Sequence, residues 1–312
     1  MTGGVVTIGE TMGLFTAASS GSRAVEFRRG IGGAESNVAI GLARLGTPAT
    51  WVGRLGADGT AELVLRELRA EGVSSGAIID ATAPTGLMVK TQPIAGRSAV
   101  EYHRSGSAGS RLNPDDIDPE LIRSAALLHV TGITPALSRT AAAAIDTALE
   151  IAAGAGVAIS FDINHRPSLW AGRPFAEVYA AIAARANIVF AGVDEAALLV
   201  QGSTPEEYAR AIADLGPTQV LVKLGEQGCI AYVDGEVTRV AAIPVNAVDT
   251  VGAGDAFAAG YIAELLAGHE LPVRLHTAVR AGAFACVGYG DWESLPHRRD
   301  LDLLTPGDPV TR

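Results

Sequence analysis

Lysine is almost missing from this chain: of its 24 basic residues, only Lys90 and Lys223 are lysines. Arginine therefore carries nearly all the positive charge, against 34 acidic residues and a formal net charge of −10. That balance argues against a general nucleic-acid or anionic-membrane binder. An acidic protein that handles an anionic substrate must gather its cations locally, inside the site. Cysteine is scarce as well. Cys229 and Cys286 give no metal-ligand spacing and suit a reducing compartment. No basic segment precedes an apolar run at the N-terminus, and no apolar stretch is long enough to span a bilayer, so a soluble, cytoplasmic protein without a membrane partner is expected. Internal repeats are absent. So is any Gly-Lys-Ser/Thr, which excludes a Walker-type phosphotransferase. The scattered glycines lack the spacing and the distant acidic residue of a dinucleotide fingerprint, which counts against an oxidoreductase.

What is present is a globular composition, 48% hydrophobic and 19% charged over 312 residues, enough for one large α/β domain. Val5–Ile8 and Thr50–Val52 read as buried strands, and Asp58 caps a helix through Leu63 and Leu68. From Leu127 the rhythm becomes strand, helix, strand, with helices expected over 138–153, 174–185, 194–200 and 205–214. Cys229–Val233 and Val237–Val240 flank Asp234-Gly235, a two-residue hairpin turn. The alternation predicts a mostly parallel sheet with helices on both faces. Two weakly patterned segments, about 13–31 and 85–104, fall outside it. The second reads as a hairpin turning at Ala95-Gly96-Arg97, and together they predict a small β lid.

The organising stretch is Asp249-Thr250-Val251-Gly252-Ala253-Gly254-Asp255-Ala256-Phe257, where a turn runs into an apolar helix. A helix start presents unpaired N–H groups and a positive dipole end, and bare glycines let an anion approach them. Asp255 would repel that anion unless it has a task. Taking a proton from a hydroxyl about to attack phosphorus fits.

This run resembles the C-terminal signature of the ribokinase-like (PfkB) family of carbohydrate kinases. The resemblance implies that Gly252, Ala253 and Gly254 form the anion hole and that Asp255 is the catalytic base. Gly30-Ile31-Gly32-Gly33-Ala34-Glu35-Ser36-Asn37 resembles the family's N-terminal signature, which places Gly33 and Asn37 along the sugar. Phe161-Asp162-Ile163-Asn164-His165-Arg166-Pro167, at a strand end, looks like a stretch of the 2-keto-3-deoxygluconate kinase branch. There the Arg, here Arg166, reaches substrate and the Asn, here Asn164, lies toward the nucleotide phosphates. Read on its own, the same loop would have Asp162 and Asn164 satisfying backbone groups.

Tyr102 and Arg104 share a face of one strand by alternation. With Ser105-Gly106-Ser107-Ala108 they are similar to a substrate-binding stretch of the same branch. Arg104 and Arg166 converging on one pocket would match a carboxylate, so a sugar acid is expected. Lys223, Gly225, Gln227 and Gly228 follow a strand where the family borders the nucleotide. Glu195 falls where the family orders water around Mg²⁺, although Gly192 replaces the usual Asn. Asp291, in Gly290-Asp291-Trp292-Glu293-Ser294, is expected near the substrate. Met88 and His103 stand where the branch commonly carries aromatics.

The resemblance implies a single ribokinase-like kinase domain over residues 1–312. It also implies ATP and Mg²⁺ as cofactors, a small sugar or sugar acid as partner, and a homo-oligomer formed through the lid. It points first to 2-keto-3-deoxygluconate as acceptor. Fructose, ribose or 5-dehydro-2-deoxygluconate are the alternatives, and a non-catalytic sugar-binding regulator is the alternative of another class.

Overall fold

The computed structural model describes residues 3–19, 21, 24–94 and 97–304. Its frame is a nine-stranded sheet in the order β13-β12-β11-β10-β9-β8-β1-β4-β5. The strands are β1 (Val5–Ile8), β4 (Ala49–Gly56), β5 (Ser74–Asp80), β8 (Leu127–Thr131), β9 (Ala158–Asp162), β10 (Ile188–Gly192), β11 (Gln219–Lys223), β12 (Cys229–Val233) and β13 (Glu236–Val240). Neighbours from β5 through β11 run parallel, and β12 and β13 add an antiparallel edge. Apart from the edge strand β5, the parallel strands are largely apolar and buried, as a sheet covered on both faces requires. One apolar cluster holds Trp51, Phe190, Phe257 and Tyr261. The other holds Phe161, Ile145, Leu149 and Tyr179.

The helices follow from their ends. Asp58 accepts from the N–H groups of Thr60 and Ala61 and starts Gly59–Ala70. Ser138 caps Arg139–Ala155, which closes on left-handed Gly156. The expected helices appear as Arg139–Ala155, Phe175–Ala183, Val193–Leu199 and Pro205–Ala213. The Asp234-Gly235 turn has both residues at positive φ, 52° and 87°, as a two-residue hairpin demands.

A second sheet, of four strands, has the order β3-β2-β6-β7: β3 (Phe27–Gly32), β2 (Met12–Ala17), β6 (Leu87–Ile94) and β7 (Arg97–His103). Both segments expected outside the main rhythm are thus strands of one small sheet. The expected β6–β7 turn residues Ala95 and Gly96 lie outside the described residues. Besides some short helices, two longer elements went unread in the sequence. Ser74–Asp80 forms strand β5, and Leu271–Cys286 forms a helix packed along Ala253–Leu266.

Candidate active site

A cavity of about 840 Å³ lies at the carboxyl ends of the parallel strands, beneath the small sheet. The helix Ala253–Leu266 begins in its wall. Its N-cap, Gly252, has φ 79°, a left-handed backbone suited to glycine, and a Cβ there would collide with the Asp291 carbonyl oxygen. Gly252 and Gly254 line the cavity. The N–H groups of Gly252, Gly254 and Asp255 have no backbone acceptor among the described residues. They make a cradle suited to an anion at the positive end of a 14-residue helix. Ala253 departs from expectation. Its N–H turns back 3.3 Å to the Thr250 carbonyl, and the residue does not line the cavity.

Asp255 sits in the first turn, 8% exposed. Asn37 Nδ2, one turn into the helix Ala34–Arg44, donates to its Oδ2 at 2.8 Å, and Asn164 Nδ2 reaches its Oδ1 at 3.4 Å. Asn164 adopts φ 39°, an uncommon conformation that Asn tolerates, and its own N–H leans on Asp162 Oδ1 at 3.3 Å. Burial pushes the Asp255 carboxyl up to about 7, helped by nearby Asp162 and opposed by Asn37, Arg166 and Lys223. A carboxyl poised there can accept a proton at neutral pH. Behind it, Lys223 Nζ contacts both oxygens of Asp162, at 2.9 and 2.7 Å.

At the other end of the cavity, Gly33 packs so tightly on the Glu10 carbonyl that a side chain would not fit. Tyr102 and Arg104 both line the wall, with the guanidinium 5.5 Å from the ring centroid. Arg104, however, is already committed. Its Nε donates to Glu10 Oε2 at 2.7 Å and its Nη2 lies 2.6 Å from the same atom, while Ser107 Oγ donates to Glu10 Oε1. Arg104 and Arg166 thus both line one cavity, as expected, but buried Glu10 already partners Arg104. Among the described cations lining the cavity, Lys90, Arg104 and Lys223 have carboxylate partners and Arg166 has none. Arg166 donates to the His165 carbonyl at 3.2 Å.

Asp291 lines the cavity too. Burial raises its carboxyl to about 6, against the pull of Lys90. Lys90, from β6, is ion-paired with Asp249 and lies 3.7 Å from Asp291 Oδ1. The loop carrying Asp291 is clamped by Arg44, which donates to the carbonyls of Trp292, Glu293 and Leu295 and stacks 5.2 Å from the Trp292 ring.

Toward the opposite rim, Lys223 and Gln227 face the cavity, whereas Gly225 and Gly228 shape the turn behind them at positive φ. Glu195 lines the wall, with Oε1 accepting the His165 N–H at 2.8 Å and Oε2 the Gly192 N–H at 2.6 Å. Among the described residues no group of three or more His, Cys, Asp or Glu could hold a metal.

Acidic or basic groups at the site that went unread include Glu10, Glu35, Lys90 and Asp249. Glu10 had a signal, since it lies two residues past the end of β1, where a parallel sheet collects its ligands. Glu35 is buried, accepts from Thr131 and Thr134 at 2.6 and 2.8 Å, and has its carboxyl raised by burial.

Comparison with known proteins agrees with this arrangement. Residues 3–298 match the family described as pfkB family carbohydrate kinase. The 2-dehydro-3-deoxygluconokinase of Bacillus subtilis (strain 168) is 36% identical over 309 residues, covering 95% of this chain and 93% of that one. The enzyme of the same name from Thermoproteus tenax is 33% identical, with 96% and 93% covered. Among solved structures, a PfkB protein from Polaromonas sp. JS666 superposes with a TM-score of 0.88 at 39% identity, covering 96% of this chain and 99% of that one. An E. coli protein described as ribokinase II, solved with ATP and Mg²⁺, gives a TM-score of 0.90 at 25% identity, with 97% and 98% covered. The chain belongs to the pfkB family of carbohydrate kinases.

Proposed function

We propose that this kinase transfers the terminal phosphoryl group of ATP to the C6 hydroxyl of 2-keto-3-deoxygluconate (also called 2-dehydro-3-deoxygluconate). The observation that carries the reading is the buried Asp255 carboxyl, with a proton affinity near neutrality, set in the first turn of a glycine-started helix inside the cavity. Asp255 removes the hydroxyl proton as oxygen attacks phosphorus. The free N–H groups at Gly252 and Gly254 receive the charge of the transferring group. Asn37 and Asn164 hold the carboxylate by its two oxygens and fix its direction. Gly33, Tyr102, Arg104 and Asp291 bind the acceptor. Asn164, Lys223 and Gln227 face the nucleotide, on the turn that Gly225 and Gly228 shape. The small sheet acts as a lid that keeps water from accepting the phosphoryl group.

Mg²⁺ fits the donor set only as a guest of the nucleotide. Both oxygens of Glu195 already accept backbone N–H groups, so phosphate oxygens and water would be the main ligands, with Glu195 ordering that water. The ion would neutralise charge on the phosphates.

A second reading has a specific observation behind it. The Arg104–Glu10 pair is electrically neutral, so it draws a substrate carboxylate less than a lone guanidinium would. This favours a neutral acceptor such as fructose or ribose, over 2-keto-3-deoxygluconate and over 5-dehydro-2-deoxygluconate, which carries a carboxylate too. ADP release measured over a panel of sugars and sugar acids decides between the two. The first reading expects the highest kcat/KM on 2-keto-3-deoxygluconate, and a neutral sugar leading that panel would overturn it.

A further inference from the structure

Asp162 is among the most deeply buried carboxylates in the molecule, 1% exposed at the last position of β9, and it does not line the cavity. It nevertheless touches two residues that do. Both its oxygens hold Lys223 Nζ, and Oδ1 also accepts the N–H of Asn164, whose side-chain amide reaches Asp255. Lys223 Nζ lies 3.3 Å from where a Cβ on Gly254 would sit, so the ammonium rests against the first turn of the Asp255 helix. Its charge acts on the Asp255 carboxyl, and such an ammonium would pair with that buried carboxylate if nothing else held it.

We propose that Asp162 is a positioning residue of the phosphoryl transfer: it holds the Lys223 ammonium beside the anion cradle and keeps that cation from pairing with Asp255, leaving the base free to take a proton. The proposal rests on the reading of Asp255 as base. Among the described residues, the charged groups that act on Asp255 include Asp162 from β9, Arg166 from the loop after it and Lys223 from the end of β11, and the uncharged amides of Asn37 and Asn164 contact it. Asp162 is negative and close, so it also raises the affinity of Asp255 for a proton.

Removing the Asp162 charge acts on Asp255 in one direction by two routes. It takes away a repelling carboxylate, and it frees Lys223 to swing onto the base. Both make Asp255 ionise more readily and act as a weaker base. In Asp162→Asn the acid limb of kcat/KM for the sugar, at saturating ATP, should move down by about one pH unit, with kcat about tenfold lower. Asp162→Glu, which keeps the charge, should leave the limb in place. The double variant Asp162→Asn, Lys223→Gln has neither the holder nor the cation, and its limb should return toward that of the parent. Asp162→Ser removes the charge with a smaller side chain and serves if Asp162→Asn does not fold. An acid limb that stays put or rises in a folded, charge-removed variant overturns the proposal. Turnover surviving in Asp255→Asn instead overturns the base reading, so the two failures are distinct.

Discussion

Replacing Asp255 by Asn should make the protein more stable while nearly abolishing its turnover. Burial holds this carboxyl at about 7, against an ordinary 3.8. Below pH 4 the group is protonated in both folded and unfolded chains and contributes nothing to the pH dependence. Between those two values the unfolded chain has released the proton while the folded one keeps it, so stability falls as pH rises through the window. At about 1.4 kcal/mol per pH unit, keeping Asp255 ionised near pH 8 costs the fold about 4 kcal/mol. Asn cannot ionise and can still accept from Asn37, so it removes most of that cost. For a domain of this size, thermal melts at pH 8 should place the variant roughly 4–8 °C above the parent. The gap should shrink at pH 6 and close near pH 4. Turnover, followed by ADP release, should drop roughly 10²–10⁴-fold. Melting temperatures of parent and variant that run parallel from pH 4 to pH 8 would show that Asp255 carries no raised proton affinity.

Other expectations concern the acceptor, the cradle and the lid. Arg166→Ala should raise KM for a sugar acid more than for a neutral sugar, which steady-state kinetics on both will show. Arg104→Ala leaves Glu10 buried and unpaired, so it should lose about 3–5 kcal/mol of stability in urea melts as well as substrate affinity. Gly252→Ala forces a Cβ into a left-handed backbone and onto the Asp291 carbonyl; turnover should fall at least tenfold, and unchanged kinetics would refute the tight fit. The edge strand β3 begins at Phe27, 41% exposed, and as one open edge of the small sheet it should pair with a second copy. Sedimentation should then show a dimer that Phe27→Asp weakens.

The parallel strands were legible because burial on both faces writes them as apolar runs, as in Val5–Ile8 and Val220–Val222. Strand β5 was not, since it opens on Ser74-Ser75-Gly76 at a sheet edge and carries little apolar signal. The cradle and Asp255 were legible because their chemistry sits within a few consecutive residues. The ion pairs were not. Glu10 and Arg104 lie 94 positions apart, and Lys90 and Asp249 lie 159 apart. No local pattern marks such partners, and each residue alone reads as an ordinary surface charge. For the same reason Arg104 looked available for substrate when the fold had already given it a carboxylate. The loop on its own suggests only that Asp162 satisfies backbone, which it partly does, and its larger contact with Lys223 comes from a strand two places along the sheet.

The scarcity of lysine gives the folded protein an unusual response to amine-directed reagents. Lys90 is buried against Asp249 beneath the small sheet, and Lys223 opens only onto the cavity, where Asp162 keeps its amine protonated and poorly nucleophilic. Acylating or reductive-alkylation reagents therefore meet no freely exposed lysine on the native surface. Labelling of Lys223 becomes a footprint of cavity occupancy, blocked when a nucleotide fills the site. Labelling of Lys90 should require the small sheet, proposed above as a lid, to move off it.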